Sequence, residues 1–107
     1  MKVSVLERCG SGMVIASGVV GETAIELEGS WYFAPEAIDR EQLQVTRRTY
    51  TCPYKGVCSW IDLSTPRTRA QNIAWVYQNP KPGYEAIKDW IGFYSHETQG
   101  TMVVEET

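Results

Sequence analysis

The sequence has few of the side chains on which metal and catalytic sites depend. It holds one histidine and three cysteines in 107 residues. Cys52 and Cys58 are separated by five residues, whereas zinc ligands usually come in closer pairs. A tetrahedral site would also need Cys9 and His96 from distant parts of the chain. We therefore expect no metal and no cofactor.

An excess of basic residues is also missing. The chain has 10 Lys and Arg against 13 Asp and Glu, a formal net charge of -3, so we expect neither nucleic acid nor a membrane surface as a partner. No apolar run approaches the roughly 18 residues of a membrane helix, and the first residues do not resemble a signal peptide. An odd number of cysteines without such a signal is typical of a reducing compartment, and we expect a cytoplasmic protein.

Aromatic residues are abundant instead, with four Trp and six Tyr. Hydrophobic residues make up 43% of the chain, which is an ordinary folded composition. A chain of this length has room for one hydrophobic core. We expect a single domain over residues 1–107.

Most of the chain has the pattern of short strands. KVSVLE and SWYF alternate, and glycine or proline interrupts successive apolar runs. QVTRRTYTCPY and GVCSWIDLS meet at Lys55-Gly56, which predicts a hairpin. The run YEAIKDWIGFY places Tyr84, Ile87, Ile91 and Tyr94 at helical spacing. The prediction is a mainly β fold, either a small antiparallel sandwich or an open barrel, with one helix at about 83–94; an α+β fold is the alternative.

The cysteines in TCPYKGVCSW raise the question of a disulfide or a reactive thiol. A two-residue Lys55-Gly56 turn would place Cys52 opposite Ser59 and send the two sulfurs to opposite faces of the hairpin. We therefore expect no disulfide. Burial would make Cys52 an inert structural thiol, whereas the nearby Lys55 could lower its pKa.

Three stretches, EGSWYFAPEAI, TCPYKGVCSW and NIAWVYQNPKPGYEAIKDWIGFY, resemble the domain of unknown function numbered 427. The resemblance covers roughly residues 23–94, and the element from Cys52 to Gly56 is its most specific mark. It implies a compact, mostly β domain. The family is sometimes labelled nucleotidyltransferase-like, but no carboxylate pair for two metal ions follows Gly10-Ser11-Gly12.

The residues of these motifs combine aromatic and polar groups. Pockets usually have apolar walls and a few placed polar groups. Our leading hypothesis is a binding module in which Lys55 engages a small anionic or carbonyl-bearing ligand. The candidate ligand-binding residues are Tyr32, Tyr54, Lys55, Asn72, Trp75 and Tyr77.

Other interpretations of these residues stay open. They could serve only to stabilise the fold. An enzyme could use Cys52 as a nucleophile, or Lys55 for Schiff-base or electrostatic catalysis. An interaction domain, including a homo-oligomer, could pair through an exposed strand edge or an aromatic patch.

Overall fold

The computed structural model describes residues 1–106, which form two antiparallel β-sheets. The strands are β1 (Lys2–Glu7), β2 (Val14–Val19), β3 (Ala24–Leu27), β4 (Ser30–Phe33), β5 (Leu43–Cys52), β6 (Gly56–Ser64), β7 (Arg69–Val76), β8 (Ile91–Tyr94) and β9 (Thr101–Glu106). Short 3-10 helices lie at Pro35–Ala37, Arg40–Gln42 and Glu85–Ile87. The three-stranded sheet has the order β2-β1-β9, and the six-stranded sheet has the order β3-β4-β8-β7-β6-β5.

One hydrophobic core lies between the two sheets. Val3 and Val5 of β1 reach it from the three-stranded sheet, because alternate residues of a strand share a face. The six-stranded sheet supplies Phe33 and Phe93, whose rings meet edge to face with centroids 5.7 Å apart. We call the side of the six-stranded sheet that faces this core the inner face, and the opposite side the outer face. The predicted mainly β fold is confirmed, and no element of the described chain supports the α+β alternative.

A buried carboxylate anchors the loop after β1. Glu7 accepts hydrogen bonds from the Cys9 thiol at 2.8 Å and the Ser11 hydroxyl at 2.6 Å, and another from Thr65. These donors, Cys9 first, lower the pKa of Glu7 to about 2. The carboxylate is thus ionised, and its hydrogen-bonding needs are met within the protein.

Among residues 1–106, no helix has the length and apolar character needed to cross a membrane.

The predicted helix at 83–94 is wrong. A 3-10 turn at Glu85–Ile87 is followed by β8, which lies in the middle of the six-stranded sheet between β4 and β7. Its pattern is alternating, since Ile91 and Phe93 belong to the inner core. Gly92 faces outward, where a Cβ would clash with the Trp75 indole. The spacing of apolar residues fitted a helix as well, but pairing with two strands decided the conformation.

The predicted register of the β5–β6 hairpin is also wrong. Cys52 pairs with Gly56, which makes Pro53–Lys55 a three-residue loop. The backbone N–H of Lys55 donates to the Cys52 sulfur at 3.4 Å and closes this turn. Cys58 is consequently opposite Tyr50, so both cysteines lie on the outer face, not on opposite faces. They are diagonal neighbours, and both are free thiols.

Candidate functional site

The outer face carries a second cluster of buried residues. It consists of Tyr32, Cys52, Cys58, Trp75, Tyr77 and Ile87. Unlike the inner core, this cluster contains hydroxyl and thiol groups. Aromatic side chains that are partly buried pack around it: Trp60, Tyr84, Trp90 and Tyr94.

A cavity of about 150 Å³ opens within this cluster. Its walls are largely aromatic: Trp75 meets Trp60 edge to face at a centroid distance of 6.1 Å and meets Tyr94 at 4.9 Å. The residues around the cavity are Leu27, Glu28, Ser30, Tyr32, Tyr50, Lys55, Cys58, Trp60, Trp75, Tyr77 and Tyr94. They come from six strands, β3 to β8, from two turns and from the segment just after β7, so the cavity exists only in the folded sheet.

Tyr32 and Trp75 form a polar contact in the cavity wall. The Trp75 indole Nε1 donates a hydrogen bond to the Tyr32 hydroxyl at 3.0 Å, and the two rings meet edge to face at 6.1 Å. Both residues are paired with Gly92, whose missing side chain leaves space for their rings. Burial raises the pKa of Tyr32 and of Tyr77 above the ordinary tyrosine value, so both hydroxyls keep their protons at neutral pH.

An ion pair lies at the edge of the cavity. Lys55 Nζ donates to Glu28 Oε1 at 2.7 Å, and the Tyr84 hydroxyl donates to Glu28 Oε2 at 2.8 Å. Burial alone would lower the pKa of Lys55, but the hydrogen bond to Glu28 and the neighbouring Cys52 outweigh it, so the pKa is raised. The hydrogen bond from Lys55 likewise lowers the pKa of Glu28. Both groups are charged at neutral pH.

The backbone at Glu28 explains how this carboxylate reaches Lys55. Glu28 and Gly29 form the two-residue loop between β3 and β4, with φ of 51° and 83°. Two positive φ values are typical of a type I′ turn, which glycine tolerates and glutamate adopts only at a cost in strain. The sequence signal was the Glu-Gly dipeptide between two short strands. It identifies the turn but not the partner of its carboxylate.

The turn at Cys52 surrounds its sulfur with donors. In addition to the Lys55 N–H, the Lys55 ammonium lies 3.8 Å from the sulfur. The backbone N–H of Lys55, followed by that of Tyr54, lowers the pKa of Cys52 against the opposing effect of burial. Burial raises the pKa of Cys58. The two thiols of the outer face therefore differ, and Cys52 ionises more readily.

Lys81 supports the same turn from outside. Its backbone N–H donates to the Lys55 carbonyl at 2.8 Å, and its Nζ donates to the Pro53 carbonyl at 3.0 Å. Gly56 has a φ of 108°, and a Cβ there would lie 3.4 Å from the Asn79 carbonyl oxygen. Glycine thus allows the segment after β7 to pack against the turn that positions Lys55.

The structure brings together four of the six candidate binding residues. Tyr32, Lys55, Trp75 and Tyr77 border the cavity. Tyr54 does not, because it lies at the tip of the hairpin and is 72% exposed.

Asn72 lies at an irregularity of β7 away from the cavity. It has a φ of 57°, its N–H donates to Asp62 at 2.9 Å, and its side-chain oxygen accepts from Arg48 at 3.1 Å. These bonds give Asn72 a structural role. Residues at the cavity that sequence reasoning did not select are Leu27, Glu28, Ser30, Tyr50, Cys58, Trp60 and Tyr94.

Within residues 1–106, no group of three or more His, Cys, Asp or Glu side chains is arranged to hold a metal ion. The groups available for chemistry at the cavity are hydroxyls, the Cys58 thiol, one ammonium and one carboxylate. They suit hydrogen bonding. Cys52, which lies in the same cluster but does not border the cavity, has the lowered thiol pKa that suits nucleophilic attack.

The fold and this cavity define a small antiparallel β-domain with an aromatic outer face. The family model described as "Domain of unknown function (DUF427)" matches residues 11–104. The chain belongs to this family, and the resemblance seen in its motifs is confirmed. No curated protein matches the chain.

Proposed function

We propose that the protein binds a small, flat ligand bearing a carbonyl or anionic group in the outer-face cavity. The observation that carries the proposal is the combination of aromatic walls with one ammonium group, that of Lys55, at the edge of the cavity. Aromatic walls favour a planar ligand through stacking and edge contacts. The few polar groups would orient it, as they do in known small-molecule sites.

The size of the cavity limits the ligand. An apolar protein cavity of about 150 Å³ holds a benzene molecule, whereas sites for drug-sized ligands occupy roughly 300 Å³ or more. The outer-face cavity, at about 150 Å³, therefore suits a ligand with one ring, or a chain of similar volume.

Lys55 supplies the polar contact in this proposal. An ammonium group has three protons to donate, of which one is directed at Glu28 and another lies near the Cys52 sulfur. The third makes no hydrogen bond within residues 1–106, and in this proposal a ligand oxygen accepts it. Because Glu28 already balances the charge of Lys55, a neutral carbonyl oxygen is favoured over a carboxylate, although both can accept this hydrogen bond.

The test is a titration with two matched probes, benzamide and benzoate, followed by the fluorescence of the tryptophans and by the NMR signals of their indole N–H groups. We expect saturable binding with changes at Trp60 and Trp75, which border the cavity. Lys55→Met should lower the affinity for benzamide by about three- to tenfold, which is the value of one hydrogen bond.

Lys88→Met is the matched control, since Lys88 is exposed and does not border the cavity. It should bind both probes as the wild type does. The absence of saturable binding by both probes would overturn the proposal. An equal loss of affinity in Lys55→Met and Lys88→Met would exclude a specific role for Lys55.

A second candidate function is an enzyme that uses Cys52 as its nucleophile. The observation in its favour is the set of donors around the sulfur, which lowers the pKa of Cys52. Lowered thiol pKa values are typical of reactive cysteines. Against it, Cys52 is 8% exposed and does not border the cavity, so binding remains the leading proposal.

Free thiols at Cys52 and Cys58 support a reducing compartment such as the cytoplasm.

A further inference from the structure

The hydrogen bond between Trp75 and Tyr32 has a defined direction. An indole N–H can only donate, so the Tyr32 oxygen is the acceptor in this 3.0 Å contact. The hydroxyl keeps its own proton, which must point elsewhere. Within residues 1–106, the Tyr32 hydroxyl makes no hydrogen bond other than the one it accepts from Trp75.

The position of Tyr32 limits where that proton can go. Tyr32 is 1% exposed, and its side chain borders the cavity. Burial raises its pKa, so the hydroxyl is neutral and retains its proton at all moderate pH values. A buried donor without an acceptor destabilises the protein, because it has lost its hydrogen bond to water. A ligand acceptor inside the cavity would remove this cost.

The other tyrosine hydroxyl deep in the wall is arranged differently. Tyr77 is 4% exposed, and its hydroxyl lies beside the Cys58 thiol, whose presence contributes to its raised pKa after the larger effect of burial. Cys58 sulfur is a weak acceptor for this group. The proton of Tyr77 thus has an acceptor beside it, the Cys58 sulfur, whereas the hydrogen bond from Trp75 occupies the oxygen of Tyr32 and directs its proton elsewhere.

We infer that Tyr32 determines specificity by requiring a hydrogen-bond acceptor on the ligand, in addition to the oxygen that Lys55 engages. The inference rests on the proposed binding function and names its ligand class: a small, planar molecule with two acceptor groups at different positions. A ring nitrogen together with a carboxamide or carboxylate meets this requirement. A ligand that offers a donor or a C–H group to Tyr32 leaves its proton unpaired.

The test compares probes that differ by one atom. Nicotinamide and isonicotinamide have the shape of benzamide, but a ring nitrogen replaces one C–H group. One of the two should place its nitrogen at Tyr32. We expect that probe to bind the wild-type protein about three- to tenfold more tightly than benzamide does, which is the value of one added hydrogen bond. In Tyr32→Phe this preference should fall to about one, since phenylalanine has no proton to donate.

Two controls keep the outcome interpretable. Benzamide affinity in Tyr32→Phe shows that the variant still forms the cavity, because this probe does not need the hydroxyl. Tyr77→Phe removes the other buried hydroxyl of the wall and should retain the preference for the pyridine probe.

The possible failures are distinct. If benzamide binds but neither pyridine probe binds more tightly, the role of Tyr32 is overturned and the binding proposal stands. The same holds if the preference survives Tyr32→Phe or disappears in Tyr77→Phe instead. If none of the three probes binds saturably, the binding proposal is overturned together with the inference.

Discussion

The two faces of the six-stranded sheet are built by the same strands but have opposite character. In β4, Phe33 faces the inner core while its neighbour Tyr32 faces the outer cavity. In β7, Val76 faces inward and Trp75 outward. The inner face is filled by aliphatic and aromatic side chains, whereas the outer face adds hydroxyl and thiol groups to its buried rings and leaves about 150 Å³ of space.

This difference separates stability from function. Buried polar groups add little to stability compared with apolar groups of the same shape, because their desolvation must be offset by hydrogen bonds. If the outer face served only as a second core, apolar side chains in place of Tyr32 and Trp75 would stabilise the domain at least as well. Their presence around an open cavity is the reason that we propose binding for the outer face and assign stability to the inner one.

Phe93→Ala should have the largest effect on stability. It removes a fully buried ring from the inner core, where Phe33 would lose its edge contact. We expect the free energy of unfolding to fall by about 3–5 kcal/mol, as measured by urea denaturation. The folded fraction should still bind benzamide. A loss below about 1 kcal/mol would contradict the assignment of stability to the inner face.

Gly92→Ala adds a methyl group to the same strand on the other face. The new Cβ would clash with the Trp75 indole and would lie 2.8 Å from the Tyr32 ring. Displacement of these rings should cost about 1–3 kcal/mol, less than Phe93→Ala, but should abolish probe binding. Near-UV circular dichroism reports the tryptophan environment. An unchanged spectrum with unchanged binding would show that the outer face tolerates overpacking and does not depend on Gly92.

The third prediction concerns reactivity within the outer face and involves no change in stability. Because hydrogen bonds lower the pKa of Cys52 in the folded protein, its thiolate should form at a lower pH than in the urea-unfolded chain. Iodoacetamide alkylation of Cys52, followed by mass spectrometry of the peptides, should therefore reach half of its maximal rate at a lower pH when the protein is folded.

Cys58 provides the internal comparison, since burial raises its pKa and should protect it. Lys55→Met should move the Cys52 profile to higher pH, because the ammonium and its charge are removed. Complete protection of Cys52 over the whole pH range would eliminate the enzyme alternative while leaving the binding proposal intact.

The strands and the mainly β fold could be predicted because alternation along a strand is a local property of the sequence. Tyr32, Lys55, Trp75 and Tyr77 could be selected as neighbours because their motifs combine rings with polar groups. The cavity itself could not be derived, since it depends on how β4, β8, β7 and β6 lie side by side. Glu28 was missed for the same reason: its partner Lys55 comes from another hairpin.

The errors have equally specific causes. The β8 segment carries apolar residues at spacings that fit a helix, and it is a strand because it pairs with β4 and β7, which are distant in the sequence. The hairpin register was wrong because Cys52 accepts the Lys55 N–H, a side-chain contact that no turn rule for Lys-Gly contains. Asn72 was selected for its amide, which is bound by Arg48.

The position of β1 has a consequence for the order in which the protein folds. β1 is the central strand of the three-stranded sheet, with β2 on one side and β9, which follows every other strand, on the other. The β1–β2 hairpin can form early. The other edge of β1 pairs with β9, which is separated from it in the sequence by all six strands of the larger sheet. Such distant pairings are slow, because the entropy of loop closure is lost before the contacts form. Amides that bond β1 to β9 should therefore gain protection last in pulse-labelled hydrogen exchange.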